Sequence, residues 1–162
     1  MIYSQQRITS RWSDLIAGFF PQQKAVLQKY INHPHLLWTG SGGEGLRTVL
    51  SHCRVKKGVK TVGIPAFTCR VVLDAVKRSG CTPVFYDSGV IADIHDIKSI
   101  VSKVDALLVT YNFGFMPDTE KISALCKAEK IILIEDCAQA LGARSQNKLA
   151  GSFGDYAVFS FG

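Results

Sequence analysis

The chain has 162 residues, 47% hydrophobic and 20% charged, with a formal net charge of +6 at pH 7. That is long enough for one domain with a sizeable core, and the composition is that of an ordinary soluble globular protein. The cationic excess is scattered (Lys56-Lys57, Lys77-Arg78, Lys127, Lys130) rather than interleaved with aromatics in one block. This argues against a nucleic-acid surface and suits a phosphorylated small molecule. No apolar run reaches the roughly 20 residues of a membrane span, and the N-terminus lacks the apolar core of a leader. Cysteines 53, 69, 81, 126 and 137 have no metal-like pair spacing and are odd in number, so they are expected to be small buried thiols of a reducing cytosol.

In chain order, residues 1–34 read as a lead-in arm. Trp12, Leu15, Ile16 and Phe19 have helical spacing that Pro21 breaks, and Leu27, Tyr30 and Ile31 predict a second short helix. His33-Pro-His35 reads as loop. Leu36-Leu-Trp38 leads into Thr39-Gly-Ser41-Gly42-Gly43-Glu44-Gly45, and a helical stripe follows at Leu46, Val49, Leu50 and Cys53. Glycines that turn backbone N–H groups inward at a helix start make an anion cradle. Gly40, Gly42 and Gly45 also satisfy the spacing of a dinucleotide fingerprint. That fingerprint wants an acid at the end of the next strand. The next strand, Thr61–Ile64, runs into Pro65-Ala-Phe-Thr68 instead, so the phosphate cradle is the reading that survives.

From Lys60 onward the pattern alternates. Val72, Ala75, Val76 and Ser79 form a helical face closed by Gly80, and Pro83–Tyr86 is the next strand. Ile97, Ile100, Val101 and Val104 form another face before the strand Ala106–Thr110. Thr119–Ala128 is a helix introduced by Pro117-Asp118, and Tyr156–Ser160 is a final strand. The alternation predicts an α/β fold, a mainly parallel sheet flanked on both sides by helices. Its centre is Ile131-Ile-Leu-Ile-Glu-Asp136, a short strand apolar on both faces. Asp136 stands at its carboxyl end, where ligands of such sheets gather. A carboxylate there is costly to bury without a cationic or hydrogen-bonding partner, and a protonated heterocyclic nitrogen would be one. Taken alone, Glu135-Asp136 reads first as a pair of caps or solvent-facing acids, and it is the surrounding motifs that favour a site.

Several motifs occur together in one order: Ser41-Gly-Gly-Glu-Gly-Leu46, Ile64-Pro-Ala-Phe-Thr68, Gly80-Cys-Thr-Pro-Val-Phe-Tyr-Asp87, Ile134-Glu-Asp-Cys-Ala-Gln139, and Gly151-Ser-Phe-Gly-Asp155 followed by Phe159-Ser-Phe161. Together they resemble the DegT/StrS family of sugar aminotransferases. The resemblance implies residues 35–162 to be the N-terminal part of an aspartate-aminotransferase-like (fold type I) large domain, incomplete and without its C-terminal domain. It implies a cytoplasmic homodimer that uses pyridoxal 5'-phosphate and a donor such as glutamate to aminate a nucleotide-linked keto sugar, in the making of polysaccharide or secondary-metabolite sugars. Carried over residue by residue, Asp136 faces the pyridinium nitrogen and Gln139 lies beside the ring or its phenolic oxygen. The Gly42, Gly43 and Glu44 backbone and the Ser160 hydroxyl hold the phosphate. Gly43 and Glu44 stand where the family has Thr and Ala, and Cys69 stands where an aromatic often stacks on the ring. The Schiff-base lysine is expected beyond Gly162. The alternatives from the same residues are a pyridoxamine-dependent sugar dehydratase of the same family and a non-catalytic fragment or nucleotide-binding module. Neither nucleic acid nor membrane is expected as a partner.

Overall fold

The structure, a computed structural model, describes residues 30, 31, 33 and 35–161. The helices expected around Trp12–Phe19 and from Leu27 lie outside the described residues, except that Tyr30 is a turn and Ile31 is buried. Leu36–Thr39 forms neither strand nor helix. The Gly-rich turn therefore lacks the preceding strand that a dinucleotide site needs, which agrees with the phosphate reading.

Helix α1 spans Gly42–Lys57. Ser41 caps it in extended conformation, its hydroxyl accepting from Glu44 N–H at 3.2 Å, and Gly58 ends it at φ 74°. Leu46, Leu50 and Cys53 form its buried stripe. Strand β1 (Thr61–Pro65), helix α2 (Arg70–Arg78) and strand β2 (Thr82–Tyr86) follow. Helix α3 (Ile94–Lys98), strand β3 (Ala106–Thr110), helix α4 (Thr119–Glu129) and strand β4 (Ile132–Asp136) continue the alternation. The stripe expected from Ile97 to Val104 is not one helix. Ser99 N–H turns back to the Asp96 and Ile97 carbonyls, and a separate 3-10 turn covers Val101–Lys103. Short strands β5 (Arg144–Ser145) and β6 (Lys148–Leu149) pair as a hairpin before β7 (Tyr156–Val158). Strand β7 stops two residues before Ser160.

The main sheet has the order β2-β1-β3-β4-β7 with every pairing parallel. Chain progression reverses between β1 and β3, which makes that junction the topological switch point. Right-handed crossovers then place α2 on one face and α3 and α4 on the other. The two cores match: α1 and α2 pack on Val62, Ile64, Ala106, Leu108, Ile134 and Val158, while α3 and α4 pack on Leu107, Val109 and Leu133. The mainly parallel α/β sheet with helices on both faces is thus the fold the alternation predicts.

Candidate functional site

Strand alternation decides which side chains share a face at the carboxyl edge of the sheet. Ile134 and Val158 belong to the core beneath α1. Asp136 and Ser160, each two residues further on, extend toward the same side. In the ladder Thr110, Asp136 and Val158 stand in register across β3, β4 and β7. Adjacent strands are about 4.8 Å apart, so Asp136 is one strand from the chain that carries Ser160.

The first turn of α1 lies over this row. A Cβ added to Gly42 would stand 3.0 Å from Ser160 Cβ and 3.2 Å from its Oγ, and one added to Gly45 would stand 3.2 Å from Val158 Cγ1. A side chain at Gly42 would fill the space between helix start and hydroxyl. Of the three expected backbone donors, Glu44 N–H is taken by the Ser41 hydroxyl. The Gly42 and Gly43 N–H groups remain at the positive end of the helix. The Glu44 carboxylate is held by Arg47, whose Nε and Nη2 donate to Oε2 at 3.0 and 2.8 Å. This partner also holds the Glu44 carboxyl below its usual range, through the hydrogen bond first and charge second. The acid is therefore drawn along the helix toward Arg47.

Asp136 is buried. Ala138 N–H donates to its Oδ1 at 3.1 Å, and the ion pairs among the described residues lie elsewhere. Burial pushes its carboxyl above the ordinary value, and the Ala138 bond opposes this in part. Among the described residues this buried acid has one donor and no cation, so its charge is left for a cationic partner to offset.

The other expected residues are less closely joined. Gln139 is exposed, and its Oε1 accepts from Phe113 N–H at 2.6 Å, supporting a residue at φ 56° in the 3-10 turn Asn112–Gly114. Cys69 is exposed at the start of α2, which corrects the expectation of five buried thiols; the other four are buried, and all five are free. Position 69 is the N-cap of α2, outside its buried stripe of Val72, Ala75 and Val76. A cavity of about 500 Å³ beside α1 and β7 includes Gly42 and Ser160 in its wall with Trp38 and Phe161, but not Asp136.

Two features were missed by sequence reasoning. Asn112 Nδ2 lies 3.3 Å from both the Phe67 and Val90 carbonyl oxygens, tying the loops after β1 and β2 at this edge. Thr68 Oγ1, in the first of these loops, is buried without a hydrogen-bond partner. No local sequence signal marks either: the Asn112 partners are backbone groups of distant loops, and the burial of Thr68 Oγ1 depends on how its loop packs.

A parallel sheet with a switch point, a glycine-lined helix start and a buried acid on the adjoining strand end is the architecture of fold type I pyridoxal-phosphate enzymes. PseC of Helicobacter pylori, an aminotransferase involved in the biosynthesis of pseudoaminic acid, shares the fold with a TM-score of 0.78 at 22% identity, over 85% of this chain and 38% of that one. The profile of the DegT/DnrJ/EryC1/StrS aminotransferase family matches residues 9–162, and the chain belongs to that family. It is 32% identical over 137 residues to the GDP-perosamine synthase of Escherichia coli O157:H7, covering 80% of this chain and 37% of the relative. It is 33% identical over 133 residues to a UDP-N-acetyl-3-dehydro-alpha-D-glucosamine 3-aminotransferase of Acidithiobacillus ferrooxidans, covering 78% and 35%. The chain thus spans little more than a third of the length of these two relatives. Among the described residues no helix is long and apolar enough to cross a membrane.

Proposed function

We propose that this chain is the cofactor-binding part of a pyridoxal-phosphate-dependent enzyme that transfers an amino group to a nucleotide-linked keto sugar, from a donor such as glutamate. A homodimer working in the cytoplasm fits the same reading. The observation that carries it is the buried Asp136, with no cation against it among the described residues, one strand away from the close approach of Gly42 and Ser160, on the same face and edge of the sheet.

Pyridoxal phosphate, when bound, supplies an electron-withdrawing ring that stabilises negative charge at an amino acid's Cα as its proton leaves. Asp136 is the group to keep a proton on the ring nitrogen, because a cation beside it offsets the desolvation that now raises its carboxyl. Gly42 and Gly43 N–H and the Ser160 hydroxyl are the donors for the phosphate. Arg47 keeps the Glu44 charge from opposing that dianion. Cys69 and Gln139, on loops at the same edge, are the groups nearest in role to the ring's flank.

Titration of the chain with pyridoxal phosphate, followed by quenching of tryptophan fluorescence, tests this reading. Removing a hydrogen bond to a charged group costs about 1.5–3 kcal/mol, so Asp136→Asn and Ser160→Ala should each weaken binding about 10- to 100-fold. Unchanged affinity in Asp136→Asn would refute the assignment.

A further inference from the structure

Two acids stand side by side at the end of β4, and strand alternation sends them to opposite faces. Asp136 belongs to the cradle side. Glu135 has no part in the function proposed above, yet it is the more completely buried of the two, with 0% exposure against 8%. Its Oε2 accepts from the Tyr111 hydroxyl at 2.7 Å and from Gly151 N–H at 2.8 Å. Its Oε1 accepts from Phe153 N–H at 2.7 Å and Gly154 N–H at 2.6 Å. A carboxylate without a cation persists in an apolar interior when its lone pairs are met in this way.

Three of the four donors are backbone groups of the loop between β6 and β7. The negative charge is therefore a template around which that loop is wrapped. The next residue extends the attachment: Asp155 N–H donates to the Leu133 carbonyl at 2.8 Å, and Leu133 N–H donates to Asp155 Oδ2 at 2.9 Å. There is little slack. A Cβ on Gly154 would stand 2.7 Å from the Leu133 carbonyl oxygen and 3.2 Å from Glu135 Cγ. The strand that this loop feeds has three residues, and among the described residues it pairs only with β4. So short a strand has few ladder bonds to hold its own register.

We infer that Glu135 is a positioning residue for the phosphate cradle: by clamping residues 151–154 it sets where β7 enters the sheet, and so where Ser160 meets Gly42. The inference rests on the cofactor reading above, and the test separates the two.

The test uses the 162-residue chain with Glu135→Gln, which keeps the volume but turns an amide toward groups that need an acceptor. Pyridoxamine 5'-phosphate and phosphate-free pyridoxamine are titrated in parallel, and the ratio of their affinities is the readout. A general loss of stability leaves that ratio alone. Glu135→Gln should lower it about tenfold, Ser160→Ala should do the same, and the double variant should lower it no further than Ser160→Ala alone. An unchanged ratio in Glu135→Gln, or additive losses in the double variant, would overturn the inference. Amide hydrogen exchange without ligand forms the second arm. Glu135→Gln should speed exchange about tenfold at 151–160 and leave β1–β3 unchanged, whereas uniform acceleration across the sheet would mean structural support alone and count against positioning. If the unaltered chain binds neither ligand, the cofactor reading fails and the positioning role for phosphate fails with it, while the exchange arm still decides whether Glu135 sets the loop. Should Glu135→Gln not fold, Tyr111→Phe removes a single donor and should lower the ratio about threefold; no change there would also overturn the inference.

Discussion

The departure of the cradle from its family pattern at Gly43 has a structural counterpart in Val71, and the pair can be tested together. A Cβ built on Gly43 would lie 2.7 Å from Val71 Cγ1, about 1 Å inside ordinary carbon contact of roughly 3.5–4.0 Å. Gly43→Ala therefore sets two terms against each other. Helix propensity favours alanine by about 1 kcal/mol in a helix interior, and by less in a first turn. Overpacking opposes it by about 1–3 kcal/mol. Val71 is 47% exposed and has room to swing aside, but leaving its preferred helical rotamer costs about 1 kcal/mol. The low end of the overpacking range then applies, and Gly43→Ala alone should change stability by less than about 1 kcal/mol. In a Val71→Ala background the obstruction is gone, and the same substitution should stabilise by about 0.5–1 kcal/mol. The double-mutant cycle should show a coupling of about 1 kcal/mol. Urea unfolding followed by far-ultraviolet circular dichroism measures all four corners. Additivity within about 0.3 kcal/mol would refute the close approach of the two helix starts.

Asp136 and Asp105 should give opposite acid responses. Burial holds the Asp136 carboxyl above its ordinary value of 3.8, so the folded chain keeps that proton more tightly than the unfolded chain, and the associated stability is full in acid and lost as pH rises through the folded value. Asp136→Asn should accordingly melt higher than the unaltered chain at neutral pH, with the gap closing on acidification, and a pH-independent gap would count against the cause given. Asp105 Oδ2 accepts from Lys60 N–H, Thr61 N–H and the Thr61 hydroxyl at 2.8, 2.8 and 2.9 Å, and the two backbone bonds hold its carboxyl low. Its contribution is present above the ordinary carboxylate value and is lost as pH falls through the folded one. Asp105→Ala should cost about 1 kcal/mol near neutrality, less in acid, and leave pyridoxal phosphate affinity unchanged, because it lies at the amino edge of the sheet. A thiol reagent should label Cys69 at once in the native chain and all five cysteines after unfolding; Cys53 and Cys126, pushed up by burial to about 11 and about 12, should be protected until then. Rapid labelling of two or more native thiols would contradict the packing.

The strands and helices were legible because their periods differ. Ala106–Thr110 and the apolar run ending at Ile134 are strands buried on both faces, and their short length and branched residues set them apart from buried helix segments. The placing of Gly42, Ser160 and Asp136 along one edge was legible only through the family resemblance that the ordered motifs carry. What stayed hidden depended on backbone groups or on small residues. The β5–β6 hairpin turns on Gln146 and Asn147, both at positive φ, and its strands are too short to show alternation. Cys69 could not be told from the buried thiols, since its exposure follows from where α2 begins. Glu135 looked like a cap or a surface acid because three of its four partners are N–H groups, which every residue but proline carries.

The division between Glu135 and Asp136 bears on how this strand can change over evolution. Neighbours on a strand face opposite ways, so inserting or deleting one residue inside β4 would exchange the two acids between faces. The loop clamp would then face α1, and the acid of the cradle would face α4, both losing their partners in one step. Point substitutions can be absorbed singly, but length changes there cannot. Insertions should instead accumulate at connections such as Gly58–Lys60, between α1 and β1, where the chain can grow without turning a strand over. In a library of length variants, β4 should be the element whose length never varies.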